Sequence, residues 1–455
     1  MQAVFARNAL TPGGWRRDVS IEIDAAGRIA RVTPDSTPGA DATQVPVLLP
    51  AVSNLHSHTF QRAMAGLAER RGPQGRDSFW TWREIMYRFL DLLSPEDVEA
   101  VAAFAFMEMQ EAGFSAVAEF HYVHHRPGGE PYAEIGEMSA RIAAAARETG
   151  IGLTLLPVLY RYGGVDRRPL QGGQQRFGND ISRFEALLAS AASHMRHLPD
   201  DARLGVAPHS LRAVGIEELR AASLLRPDTP LHMHIAEQEP EIDEMMTAHG
   251  RRSVEWLLGE MEVDERWCLI HCTHMSEDET QGLARSGAVA GLCPVTEANL
   301  GDGIFNGPEF RVAGGRFGIG SDSNIRITIA EELRQLEYSQ RLRDRARVVL
   351  AAHGQSSGRT LYDAALAGGA QALGRASGAL EPGKWADLVA IDPASFASFA
   401  RDDTLLDSWL FTAGNEAVSD VWSAGRHRVR GGRHLERERI AARYAKTIER
   451  LMGML

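Results

Sequence analysis

Lysine is almost missing from this chain of 455 residues, occurring only at Lys384 and Lys446. Cysteine is scarce as well. Cys268, Cys272 and Cys293 are an odd number at spacings that suit neither a disulfide framework nor a two-pair zinc clip, which predicts reduced, buried thiols. No stretch of about 18 consecutive apolar residues occurs, so no membrane-spanning helix is expected. Met1 to Leu10 has no apolar core behind a basic start, so no secretory leader is expected and the chain is expected to work in the cytoplasm. Basic residues are spread out instead of massed, and the net charge is -11, which argues against nucleic acid and for a small ligand. What is present in ordinary measure is 44% hydrophobic and 24% charged residues, the balance of a folded, water-soluble chain.

The length accommodates one barrel of roughly 250 to 400 residues beside a modest accessory domain. Residues 3 to 49 read as short strands broken by turns; Val19-Ser20-Ile21-Glu22-Ile23 alternates ahead of Ala25-Ala26-Gly27. Strand signals return at Ala386 to Ile391, Val418 to Ser423 and Arg426 to Val429. The two ends are therefore expected to pair into one small β-sandwich, from 1–50 and 376–434. Between them, over 51–375, short apolar runs alternate with helical stretches, which predicts an α/β chain whose parallel strands close into a (β/α)₈ barrel. Ile440, Tyr444, Ile448, Leu451 and Leu455 recur at helical spacing and predict an amphipathic helix over 435–455, packed on the body or on a second subunit. The glycine- and arginine-rich Arg161 to Asn179 reads as either a lid or a surface excursion.

Four chemically distinctive clusters fall where apolar strands end. Asn54-Leu55-His56-Ser57-His58 follows Val47 to Val52, and two imidazoles two residues apart point to one face of a strand. His232-Met233-His234-Ile235-Ala236-Glu237 and Leu269-Ile270-His271-Cys272-Thr273-His274 end two later strands; Gly318-Ile319-Gly320-Ser321-Asp322-Ser323 ends another. Any one of these reads equally as a hydrogen-bonded core histidine or a capping aspartate. Four together at the rim where barrels carry their active sites point to ligands brought to one place.

The order of these clusters, with Gly378-Ala379-Leu380-Glu381-Pro382-Gly383-Lys384-Trp385-Ala386-Asp387-Leu388-Val389 near the end, resembles the amidohydrolase superfamily along essentially the whole chain. Some members bridge two metals with a carboxylated barrel lysine, which a chain without lysine before Lys384 cannot do. The resemblance therefore implies one metal ion per subunit held by His56, His58, His234 and Asp322, with Zn²⁺ suited to three nitrogens and a carboxylate and Fe²⁺ also compatible. Asp77 to Glu84, Ala118 to His125, His209 to Val214 and Thr296 to Phe305 resemble the branch that hydrolyses N-formimino-L-glutamate to N-formyl-L-glutamate and ammonia in histidine degradation. In that branch Asp322, His271 and Glu237 would be catalytic, moving protons and holding the attacking water. Gln61, Arg83, Tyr122, His209 and Arg212 would bind the substrate's two carboxylates, and a homodimer would be expected. Asn324 stands where the pattern has histidine.

His121, His124, His125, His232 and His274 are expected to pack or support instead of ligating, and Trp80 and Trp82 read as pocket wall or core. Another deaminase on the same scaffold, acting on an aminoheterocycle or guanidino compound, is the rival reading. A non-catalytic barrel is the rival from another class, and it should have lost ligands; none is missing.

Overall fold

The computed structural model describes residues 2–69, 71, 79–396 and 399–454. Asp77, Ser78 and Leu455 lie outside the described residues, as does the side chain of Trp80. Eight parallel strands form the centre: Ser53–Ser57, Ala116–His121, Gly152–Leu159, the broken pair Arg203–Leu204 and Ala207–Pro208, Leu231–Ile235, Trp267–His271, Val289–Leu292 and Arg316–Ile319. Backbone bridges Val206 to Leu231 and Ser210 to His234 join the two halves, and Ser57 to Asp322 closes the last strand onto the first. The expected (β/α)₈ barrel is present. Its strands are buried on both faces, every residue of Gly152–Leu159 included, because helices cover the outside; this explains why they read as apolar runs without alternation.

The covering helices start where the sequence punctuates. Ser94 caps Pro95–Glu111 in a reciprocal capping box with Asp97, and Pro95 occupies the first turn, where its missing N–H costs nothing. Val98, Val101, Ala105, Phe106 and Met109 are then buried in the main hydrophobic core.

The two strand-rich ends pair in one eight-stranded mixed sheet. The expected sandwich is thus a single hydrogen-bonded path, running from Arg433–His434 at one edge to Ile29–Thr33 at the other. Its seam is Thr43–Pro50, parallel to Gln2–Thr11 and antiparallel to Leu388–Ile391. Val4, Ile21, Leu48, Leu388 and Trp422 share a core separate from that of the barrel. Thr43–Pro50 runs almost directly into the first barrel strand, so the sheet anchors the segment that carries His56 and His58.

Arg375 clasps the junction beneath the barrel. Its guanidinium donates to both Asp387 oxygens at 2.6 and 3.0 Å and to the Asp201 carboxylate at 2.8 Å, while Arg426 grips Asp201 from the other side. The helix Arg437–Met452 packs on Pro95–Glu111, with Tyr444 stacked on Phe104 at 3.9 Å between ring centres. Among the described residues no helix is long and apolar enough to cross a membrane.

Candidate metal and catalytic centre

Two residues apart on the first strand, His56 and His58 share one face, and Ser57 between them bridges to Asp322, while the strand's register against Ala116–His121 slips between Asn54 and Ser57. His56 Nε2 and His58 Nε2 are 3.2 Å apart, and His58 Nε2 and His234 Nε2 are 3.3 Å apart. Asp322 Oδ1 lies 3.5 Å from the first and 3.4 Å from the second. These separations match the edge of a tetrahedron whose ligands lie about 2.0–2.1 Å from a central ion.

The protons make the case stronger. His58 Nδ1 faces the Phe120 carbonyl at 2.9 Å, and His234 Nδ1 faces the His209 carbonyl at 3.2 Å. A carbonyl only accepts, so both Nδ1 atoms carry hydrogen and both Nε2 atoms present bare lone pairs to each other. Burial pushes His56 down to about 3, which favours the neutral ring a metal requires. Two buried lone pairs in near contact need a cation between them, and the donor set fits a single divalent ion.

The backbone is shaped for this approach. A Cβ on Gly320 would lie 2.8 Å from the His56 backbone nitrogen and oxygen, so glycine is what lets the eighth strand meet the first. Asp322 at φ 43° and His271 at φ 74° occupy the left-handed region, a strain that turns their side chains off the strand ends. Asn324 is wholly buried and outside the cavity lining. Its amide donates to Ser57 Oγ and to the His58 and Asp322 carbonyls at 3.0–3.2 Å, stitching the two ligand loops together.

Beyond the four donors lies a cavity of about 540 Å³, counting its open mouth, to which Gln61, Arg83, Tyr122, His209, Arg212, Glu237 and His271 all contribute. Every residue expected at the site is thus brought to one place. His271 Nε2 is 3.7 Å from Glu237 and 4.0 Å from Asp322, while its Nδ1 faces Glu297 at 3.3 Å. Burial alone would strip the His271 proton, but Glu237, Glu297 and Asp322 outweigh it and hold the group up at about 10. Burial likewise lifts the Glu237 carboxyl above its usual range, against the pull of His271 and Arg212.

On the opposite wall Arg83 donates to the Tyr87 and Tyr160 hydroxyls at 2.5 and 3.2 Å. Arg212 lies 3.7 Å from Glu237 and 3.6 Å from Glu241, charge contacts longer than hydrogen bonds. Gln61 donates to the Tyr122 hydroxyl at 2.7 Å, and its own carbonyl oxygen is buried with no protein partner. The turn that carries Gln61 is pinned by Glu119, which accepts from Thr59 N and Oγ at 2.8 and 2.7 Å. His209 stacks on His234 with ring centres 4.9 Å apart.

Trp82 and Phe177 complete the wall. Phe177 belongs to the excursion after Tyr160, which is packed through the wholly buried Arg176, a donor to the carbonyls of Leu90, Leu93 and His125. His121, His124, His125 and His232 are buried but do not belong to the four-donor group, with His232 Nε2 on the Ala372 carbonyl at 2.7 Å; His274 holds the Asp302 carbonyl at 2.8 Å. Sequence reasoning gave no role to Glu297, Tyr87 or Tyr160. Glu297 follows the seventh strand, and the rule that drew attention to the other strand tips applies to it equally.

A closed parallel barrel whose strand tips gather three imidazoles and an aspartate beside a buried acid defines a metal-dependent hydrolase. Comparison with known proteins agrees: the Amidohydrolase family pattern matches residues 47–428, and that of the N-terminal domain of formimidoylglutamate deiminase HutF matches residues 1–44. The chain belongs to the amidohydrolase family. A formimidoylglutamate deiminase of Pseudomonas aeruginosa is 49% identical over 99% of this chain and 100% of that protein. The crystal structure of an amidohydrolase from Brucella melitensis is also 49% identical, with a TM-score of 0.96 over 99% of this chain and 100% of that one. An adenosine deaminase from Xanthomonas campestris, solved with bound zinc, shares the fold at 21% identity and a TM-score of 0.83, over 99% of this chain and 98% of that one.

Proposed function

We propose that this chain hydrolyses N-formimino-L-glutamate to N-formyl-L-glutamate and ammonia, with one zinc ion per subunit held by His56, His58, His234 and Asp322. The reading rests above all on one juxtaposition: a four-donor cluster shares its cavity with the Glu237–His271 pair and with two arginines, Arg83 and Arg212. Ferrous iron fits the same donors, but three neutral nitrogens and one carboxylate at tetrahedral spacing favour zinc. The resemblance adds a homodimer acting in the cytoplasm during histidine breakdown.

When bound, the ion supplies Lewis acidity that makes water a nucleophile near neutral pH. Asp322, held well below its usual range by the surrounding histidines despite its burial, is ionised and accepts the proton that the attacking water gives up. His271, cationic between three carboxylates, donates from Nε2 to the attacking oxygen and stabilises the tetrahedral centre. Glu237 then passes a proton to the departing nitrogen. The formimino carbon gains a bond to oxygen, its bond to nitrogen breaks, and ammonia leaves with the formyl group retained on the amino nitrogen.

Two anionic groups on one small substrate need cations, and planar guanidinium groups serve carboxylates best. Arg83 and Arg212, with Gln61, Tyr122 and His209, take that part. An aminoheterocycle would find aromatic walls here but offers no carboxylate to Arg83 and Arg212, whereas a diacid matches both guanidinium groups in charge and shape.

The test is ammonia release by the zinc-loaded protein from formiminoglutamate, beside formiminoaspartate and guanine. Turnover of the first by the wild type, with KM raised about 10- to 100-fold by Arg212→Met, is the expected result. Absence of turnover with the first substrate, or preference for guanine, refutes the assignment.

A further inference from the structure

His271 presents its ring to the reaction from a strained backbone position, φ 74° at a strand tip, and a ring so placed turns about its own bond unless something holds it. The hydrogen-bond partner that the structure gives its Nδ1 is Glu297, at 3.3 Å. Glu297 is itself anchored twice. Its Oε1 accepts the Cys293 N–H at 2.8 Å, and its own N–H donates to the Cys293 carbonyl at 2.9 Å, so the first turn of Pro294–Leu300 locks the carboxylate in place. The same residue thus caps one strand tip and reaches across to the neighbouring one.

The opposite edge of the ring explains what this achieves. Nε2 lies between Glu237 Oε1 at 3.7 Å and Asp322 Oδ2 at 4.0 Å, the two carboxylates assigned to proton transfer. A half-turn of the ring would put carbon where Nε2 stands, leaving the reacting centre without its donor. Cys293 Sγ, His271 and Glu297 also form a compact three-donor group. Burial and the nearby carboxylates push that thiol well above its usual range, so it stays protonated, and Glu297 meets its two neighbours through hydrogen bonds from His271 Nδ1 and the Cys293 N–H.

We propose that Glu297 is a positioning residue for this reaction: through His271 Nδ1 it fixes the ring so that Nε2 faces the attacking oxygen between Glu237 and Asp322. The inference rests on the reading that His271 works at the reacting centre. Supporting groups of this kind are typically worth about 10- to 100-fold in rate.

The experiment is a double-mutant cycle with Glu297→Asp, Glu297→Gln and His271→Asn in the zinc-loaded protein, read by kcat, KM, zinc content and inhibition by glutarate. Glu297→Asp withdraws the carboxylate by one carbon and is expected to lower kcat about 10- to 100-fold, with KM, glutarate inhibition and zinc content held within about threefold. Glu297→Gln keeps an acceptor for both Nδ1 and Cys293 while Glu237 and Asp322 still favour the charged ring, and is expected to retain a kcat at least about threefold above that of Glu297→Asp. Added to His271→Asn, Glu297→Asp costs nothing further, because its effect passes through the missing ring. A wild-type kcat in Glu297→Asp overturns the proposal, as does an equal loss with and without His271, or a loss in Glu297→Gln as large as in Glu297→Asp. Wild-type turnover of formiminoglutamate, measured in the same series, judges the functional reading separately.

Discussion

Replacing Arg375 by methionine removes the cation that joins barrel to sheet while keeping an unbranched apolar stem. Asp201 retains both hydrogen bonds from Arg426, so the group left exposed to the loss is Asp387, almost fully buried and then held by the Ala424 N–H alone. Breaking one partner of such a pair costs about 3–5 kcal/mol. Unfolding entropy for a chain of 455 residues is about 1 kcal/mol/K, so a cost near 4 kcal/mol lowers Tm by about 4 °C if the chain unfolds as one unit. Calorimetry of the zinc-loaded protein reads this shift. The network touches Gly152 at the start of the third barrel strand, the end away from the metal cluster, so kcat at 25 °C should be unchanged. Adding Asp387→Leu removes the stranded charge and should recover most of the loss. An unchanged Tm in the single variant, or no recovery in the double, refutes the reasoning.

Gly320→Ala forces a methyl group against the His56 backbone and separates the first and eighth strands. Zinc affinity should fall about 10- to 100-fold in a chelator competition while the far-ultraviolet dichroism stays native; unchanged affinity contradicts the close-approach argument. Burial lowers His434 to about 4, so on acidification the unfolded chain takes a proton near 6.5 that the folded chain refuses. Stability is therefore lost as pH falls from about 6.5 to 4, by up to about 3 kcal/mol from this residue. The difference between wild type and His434→Gln in urea midpoints across that window measures it, and parallel pH profiles would exclude the effect.

The four-donor cluster was legible because strand tips leave a local signature. His56 and His58 are two residues apart after an apolar run, and Asp322 follows a short strand, so each cluster announces its place on the rim without tertiary information. Glu297 was not legible as a partner of His271, since its role depends on two neighbouring strands ending level, a register that sequence spacing does not reveal. The excursion after Tyr160 was ambiguous for a similar reason. Its order comes from Arg176 satisfying carbonyls on two distant segments, and an arginine in a glycine-rich stretch looks the same whether solvated or buried. The strand-rich ends were readable by alternation, whereas the single sheet path follows from Thr43–Pro50 pairing with both ends at once.

X-ray absorption at the zinc edge, combined with metal analysis of the purified protein, tests the central claim most directly. The account predicts one zinc per chain in a nitrogen and oxygen shell at about 2.0–2.1 Å, with imidazole scattering reduced in His234→Ala. A chain that takes up no stoichiometric zinc, or whose zinc environment is the same without His234, would contradict it.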